Sequence, residues 1–167
     1  MEIERKFTLK KIPENLESYP CHIIEQAYLN TTPVVRVRQQ DNDYYLTYKG
    51  SGMMVREEYN LPLDEASYKH LLKKADGNII SKKRYIIPLE NPQFTDGFVP
   101  LSTPNLIIEL DVFAPPFAPL IMAEVEFPST EMANAFIAPD WFEADVTNDP
   151  AYHNSNMATV QPCTKIV

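Results

Sequence analysis

The sequence predicts a mainly β (α+β) protein, a closed eight-stranded antiparallel tunnel barrel with a charged interior and helices packed outside. Three observations predict it. Charged residues recur at every second position in one stretch after another, as in Glu2-Ile3-Glu4-Arg5-Lys6-Phe7 and Val35-Arg36-Val37-Arg38. Side chains of a strand alternate between faces, so each stretch has one charged parity and one apolar parity. The stretches are joined by short turn segments such as Asp41-Asn42-Asp43 and Gly50-Ser51-Gly52, which mark hairpins and hence antiparallel pairing. Two amphipathic helical patterns interrupt the strands and carry apolar stripes that need a sheet face to cover.

In chain order, residues 2–7 form the first expected strand, with Glu2, Glu4 and Lys6 on one face and Ile3 and Phe7 on the other. The two carboxylates then lie about 7 Å apart along the strand. Residues 10–20, with Pro13 and Asn15, read as a loop with room for a helical turn. Residues 22–29 resume as a strand that ends at Asn30-Thr31-Thr32-Pro33, and residues 34–40, 44–49 and 54–61 follow as the third, fourth and fifth strands. Asp64 is the expected N-cap of a helix with the stripe Ala66, Tyr68, Leu71, Leu72 and Ala75, and Gly77 is its expected terminator. Residues 79–89 read as the sixth strand and residues 91–104, with three prolines, as irregular. The seventh and eighth strands cover 106–113 and 120–127, divided by Ala114-Pro115-Pro116. A helix over 129–137, capped by Ser129 or Thr130, and a polar tail that turns helical near its end complete the chain.

The 167 residues suit one domain, 1–167, with 44% hydrophobic content enough to bury a core. A net charge of −8 argues against nucleic acid as a partner, since that binding depends on uncompensated Lys and Arg. Cys21 and Cys163 fit neither a metal-ligand spacing nor a disulfide framework, which suits a reducing compartment. The charged motif begins at residue 2, where a secretory leader would need an apolar run, and no stretch is apolar enough to span a bilayer. No membrane partner is expected, and the expected address is cytoplasmic.

Eight antiparallel strands of similar length close on themselves and so remove exposed edges. The parity carrying Ile3, Phe7, Val35, Val37, Leu110, Val112, Val125 and Phe127 should then face outward beneath the helices, leaving the charged parity inside. That parity has a basic set, Lys6, Arg36, Arg38, Lys49, Arg56, Lys82 and Arg84, and an acidic set, Glu2, Glu4, Glu58, Glu109, Asp111, Glu124 and Glu126. One uncompensated interior charge costs several kcal/mol, so the interior must be paired, hydrated or ligand-bound. Basic walls would clamp a polyanion, and acidic walls would hold divalent cations that neutralise it. Lys83 and Glu57 fall on the outward parity.

These residues also resemble a known family. Glu2-x-Glu4-x-Lys6, Arg36-x-Arg38, Lys49, Arg56-Glu57-Glu58, Lys82-x-Arg84, Glu109-x-Asp111, Glu124-x-Glu126 and Asp145-Val146-Thr147 are similar, in order and approximate spacing, to the signature of the CYTH domains, also called triphosphate tunnel metalloenzymes. The resemblance covers nearly the whole chain. It implies an eight-stranded tunnel that binds a triphosphate-containing small molecule through Lys and Arg, with Mg²⁺ or Mn²⁺ on the carboxylates, and a C-terminal helix that plugs one end. It implies, as alternatives, inorganic triphosphate hydrolysis, hydrolysis of an organic triphosphate, or cyclic AMP formation. A polyphosphate-binding module without catalysis is a further alternative, and a homodimer is left open. The chain departs from the family pattern in the length of 91–104, in Pro119-Leu120 before the eighth strand and in Asn148 after Val146-Thr147.

The resemblance assigns candidate roles. Glu2, Glu4, Glu109, Asp111, Glu124 and Glu126 are candidate metal ligands, and Lys6, Arg36, Arg38, Lys49, Arg56, Lys82 and Arg84 candidate phosphate ligands. Arg56 and Glu58 could equally form an internal ion pair. Lys6 is also a candidate base, with Tyr28 in Gln26-x-Tyr28-Leu29 matching a family position where tyrosine partners the first lysine; wall packing is its alternative. His22, His70 and His153 show no ligand spacing and are expected as surface or satisfied histidines.

Overall fold

The computed structural model describes residues 1–102 and 104–159; Cys163 lies outside them. Its strands are β1 (Glu2–Leu9), β2 (Cys21–Thr31), β3 (Val34–Gln40), β4 (Asp43–Lys49), β5 (Val55–Arg56), β6 (Glu58–Leu63), β7 (Asp76–Pro88), β8 (Gln93–Phe94), β9 (Ile107–Phe113), β10 (Ile121–Glu126), β11 (Phe136–Ile137) and β12 (Phe142–Asp145). The helices are α1 (Glu65–Leu72), α2 (Thr130–Ala135) and α3 (Asn154–Thr159), and a short 3-10 turn, Leu16–Ser18, lies in the loop after β1.

The main sheet runs in the order β12-β1-β10-β9-β7-β2-β3-β4-β6, with every pair antiparallel. The fifth expected strand is in fact two. β6 pairs with β4, while β5 crosses to β1, with Glu2 opposite Arg56 and Ile3 opposite Val55. That split closes the wall: one short strand bridges the first and last staves of an eight-membered tunnel. Further along the same edge of β1, β12 pairs through Phe7 opposite Asp145 and Leu9 opposite Phe142, adding a ninth strand within the stretch expected as a polar tail.

The helices lie where their stripes require. Asp64 caps α1 by accepting from Ser67 N–H at 2.6 Å, and Tyr68 packs the helix onto Ala27 and Val37 with Leu71, Leu72 and Ala75 beside it; Ala66 is exposed. Gly77 does not end this helix. It lies in β7 at φ +75, and a Cβ there would sit 2.1 Å from the carbonyl oxygen of Ala158 in α3, so the close approach of α3 requires glycine. Ser129 caps α2, which stops two residues earlier than expected because Phe136–Ile137 turns extended and pairs with β8 inside the irregular segment. Beneath α2, Phe7, Leu110, Val125, Phe127, Phe136 and Phe142 form the largest core cluster.

The inner face is not charged throughout. At one end Tyr28, Val34, Ile80, Phe113 and Met122 turn apolar and pack around Met157 and Ala158 of α3. This helix stoppers the tunnel at that end.

Candidate active site

Alternation carries the charged parity inward on every stave. Glu2, Glu4 and Lys6 of β1, Tyr28 of β2, Arg36 and Arg38 of β3, Tyr45 and Lys49 of β4, Arg56 of β5 and Glu58 of β6 line one cavity of about 220 Å³. Val34 and Gln40 of β3, Arg84 of β7, Glu109 of β9, Glu124 and Glu126 of β10, and His153 with Asn154 and Ser155 at the start of α3 complete it. Lys82 and Asp111 are not among the lining residues. Both are buried behind Arg84, ion-paired to each other, with Asp111 fully sealed and Lys82 over the ring of Phe113. Asp111 also takes two parallel N–H bonds from Arg84 at 2.7 Å each, so its observed work is to aim that guanidinium.

Most of the interior charge cancels. Lys6 lies between Glu124 and Glu4, 2.9 Å from the latter; Lys49 sits 2.7 Å from both Glu2 and Glu58. Arg56 reaches Glu2 at 3.3 Å and Glu4 at 3.4 Å while lining the cavity, so it is both an ion-pair partner and a wall residue. Arg84 adds Glu124 at 2.5 Å and Glu109. Titration follows these contacts. Burial would lower the Lys6 pKa, but Glu124 and Glu4 outweigh it and raise it, so the amine is held as an ammonium. At Lys82 burial prevails over Asp111 and brings the pKa down to about 8. Burial and the neighbouring Glu4 lift Glu2 to about 7, whereas at Glu58 the charge of Lys49 overcomes burial and pulls the pKa to about 2.

Two arginines escape the cancellation. Arg36 is 4% exposed, donates to Thr47 Oγ1 at 3.0 Å, and has an Nε with no hydrogen-bond partner among the described residues. Burial and the charge of Arg38 depress its pKa. Arg38 forks onto the neutral oxygen of Gln26 at 2.9 and 2.6 Å and reaches the Tyr45 hydroxyl at 3.4 Å. Among the described residues neither has a carboxylate within ion-pair distance. The converse holds at Glu126, which has no cation within that distance among the described residues; partial desolvation and the charges of Glu109, Glu4 and Glu58 raise its pKa. The cavity therefore has surplus positive charge on β3 and surplus negative charge at Glu126.

The family model of the CYTH domain matches residues 1–110. The chain belongs to the CYTH domain family. Its CYTH relatives include a protein named inorganic triphosphatase from Nitrosomonas europaea, 37% identical over 96% of this chain and 99% of the relative. Another of that name, from Acetivibrio thermocellus, is 34% identical over 93% of this chain and 92% of its own. The crystal structure of the inorganic triphosphatase NE1496 superposes with a TM-score of 0.69 at 32% identity, covering 98% of this chain and 97% of that one.

A CYTH tunnel implies a divalent cation, and the carboxylates here can be judged against one. Among the described residues no three acidic, histidine or cysteine side chains already converge on a metal position, because Lys6 and Arg84 hold Glu4, Glu109 and Glu124. The donors are all carboxylate oxygens, the type hard divalent ions take, and at Glu126 burial and the neighbouring acids outweigh the pull of Lys49. On that count the donor set fits.

Strand parity places Gln26 on the inward face with Tyr28 but does not reveal what it does there. Gln26 neutralises nothing, yet it orients Arg38 and donates to the Tyr28 hydroxyl at 3.3 Å. Tyr28 lines the cavity, but no hydrogen bond joins it to Lys6 among the described residues. His153 is buried and satisfied, its Nε2 2.8 Å from the carbonyl oxygen of Thr147; His22 is half-buried with its Nδ1 2.6 Å from Asp41 Oδ2, and His70 is exposed. Arg5 turns outward and forks onto Asp145 while bonding the carbonyls of Ala133 and Phe136, which fastens β12 and α2 to β1.

Proposed function

We propose that the chain is a divalent-metal-dependent inorganic triphosphatase, converting triphosphate and water to diphosphate and phosphate. The observation that carries this reading is the pair of buried arginines without carboxylates, Arg36 and Arg38, in the same cavity as an acid without a cation, Glu126. A polyanion and a divalent cation entering together would complete both. The inorganic substrate is preferred on size: about 220 Å³ falls below the roughly 300–1,000 Å³ of sites for larger organic ligands, and the lining is almost wholly charged or polar. Curated relatives named inorganic triphosphatase, at 37% and 34% identity over nearly the full length, support the same reading.

In this reading Arg36, Arg38, Lys49, Arg56 and Arg84 hold phosphoryl oxygens, the arginines by forked donors. Lys82 and Asp111 position Arg84. Mg²⁺ or Mn²⁺ would be held by Glu4 and Glu126, with Glu2, Glu109 and Glu124 around them, and when bound would offset the charge that builds on the phosphoryl group. The neutral amine of Lys6 would take a proton from water, with the Tyr28 hydroxyl beside the same cavity; Glu124 and Glu4 hold it as an ammonium, and cations held on those carboxylates would ease loss of that proton. Glu4 and Glu124 oppose loss of the Lys6 proton, so activity should rise toward alkaline pH. Incubation with Mg²⁺ or Mn²⁺ and triphosphate, ATP or thiamine triphosphate, scored for phosphate, diphosphate and cyclic AMP, tests the proposal. Cyclic AMP as the main product from ATP would replace it with a cyclase.

A further inference from the structure

The stopper of the tunnel carries a polar group that the protein leaves unsatisfied. Asn154 opens α3 and lines the cavity, and its Oδ1 is buried with no hydrogen-bond partner among the described residues. Leaving such a group unpaired is destabilising. The position is firmly held. His153 beside it anchors to the Thr147 carbonyl at 2.8 Å, Met157 N–H bonds the His153 carbonyl at 3.0 Å, and Met157 and Ala158 are packed into the apolar end of the barrel. Two other atoms without a hydrogen-bond partner among the described residues bear on the cavity: Glu58 Oε2, which lies 2.7 Å from the Lys49 ammonium, and Arg36 Nε, a fixed donor. An amide offers an acceptor at one end and two donors at the other, and a half-turn about its last bond exchanges them. Asn154 therefore suits a phosphoryl oxygen whether that oxygen is ionised or protonated.

We propose that Asn154 is a substrate-contacting specificity residue, its amide bonding an oxygen of the phosphoryl group seated deepest in the tunnel. The assignment rests on the triphosphatase reading above. Because α3 blocks that end, the group Asn154 meets is a chain terminus, and the residue serves to recognise a free phosphate end.

The test compares wild type with Asn154→Asp and Asn154→Ala, reading the unliganded melting temperature, the rise in melting temperature on adding triphosphate in chelator, and KM and kcat for triphosphate with Mg²⁺. Asn154→Ala should melt no lower than wild type without ligand, since it removes an unsatisfied group, and should show a smaller triphosphate-induced rise. Asn154→Asp sets a carboxylate against a phosphoryl oxygen and should raise KM by about tenfold or more, with kcat much less affected. Should Asn154→Asp fail to fold, Asn154→Ala decides alone. KM and triphosphate-induced stabilisation unchanged in a folded Asn154→Ala, while wild type hydrolyses triphosphate, would overturn the assignment and leave the triphosphatase reading standing. A wild type neither stabilised by triphosphate nor active on it would overturn both.

Discussion

Thr147 Oγ1 accepts a hydrogen bond from the backbone N–H of Lys6 at 3.0 Å, and Val146 N–H returns one to the Lys6 carbonyl at 2.9 Å. The segment after β12 thus completes the edge of β1 at the residue whose side chain enters the tunnel. Thr147→Val keeps the shape and removes the acceptor, leaving a buried N–H unsatisfied at a cost of about 1–3 kcal/mol. The expected outcome is a lower melting temperature together with a reduced kcat, because Lys6 loses its support. Unchanged thermal denaturation would mean that the contact contributes nothing.

Arg36 is predicted to trade stability for binding. Its buried charge lacks a carboxylate, so Arg36→Met should keep or raise the unliganded melting temperature, since an apolar side chain of similar length avoids the desolvation. The same variant should lose most of its stabilisation by triphosphate. Calorimetry with and without triphosphate checks both halves. A strongly destabilised Arg36→Met that still binds triphosphate would make the residue structural.

The contrast between Arg36 and Lys82 shows how far the sequence carries. Strand parity is a local property, so it sent both inward correctly, along with Glu2, Glu4, Arg38, Arg84 and Glu124. Which inward residues meet the cavity depends on barrel stagger and on which neighbours stand in front. Lys82 and Asp111 end up behind Arg84, and no spacing rule contains that fact. The closure of the wall is hidden for a similar reason: Val55-Arg56 and Glu58–Leu63 read as one extended run, and only partner choice divides them. β12 is four residues long and pairs irregularly, which gave too little alternation to be seen. The apolar end of the tunnel is likewise hidden, since Met122 and Ile80 share parity with charged residues and are buried by distant partners, Tyr28, Val34, Phe113 and the Met157 and Ala158 of α3.

Glu126 is the carboxylate least engaged by the protein's own cations, so it should matter most for metal affinity. Glu126→Gln removes a charge that Glu109, Glu4 and Glu58 repel, and the fold should be retained or slightly stabilised. A neutral amide binds hard divalent ions less well, so the Mg²⁺ concentration for half-maximal activity should rise by about tenfold or more. A metal titration of turnover reads this directly, and an unshifted curve would remove Glu126 from the metal site.

Lys6 is held protonated by Glu124 and Glu4. If it serves as the base, Lys6→Arg should still bind triphosphate, yet turn over far more slowly at every pH, because a guanidinium keeps its proton. The wild-type rate should climb with pH over the alkaline range. A Lys6→Arg enzyme with wild-type kcat and pH profile would leave Lys6 as a phosphate ligand only.

The most direct test of the central claim is the ratio of kcat/KM for inorganic triphosphate to that for ATP, measured with Mg²⁺ and again in excess chelator. The small cavity, lined almost wholly by charged and polar side chains, predicts a ratio well above one, with diphosphate and phosphate as products and loss of turnover in chelator. A ratio below one, or hydrolysis indifferent to chelator, would contradict it.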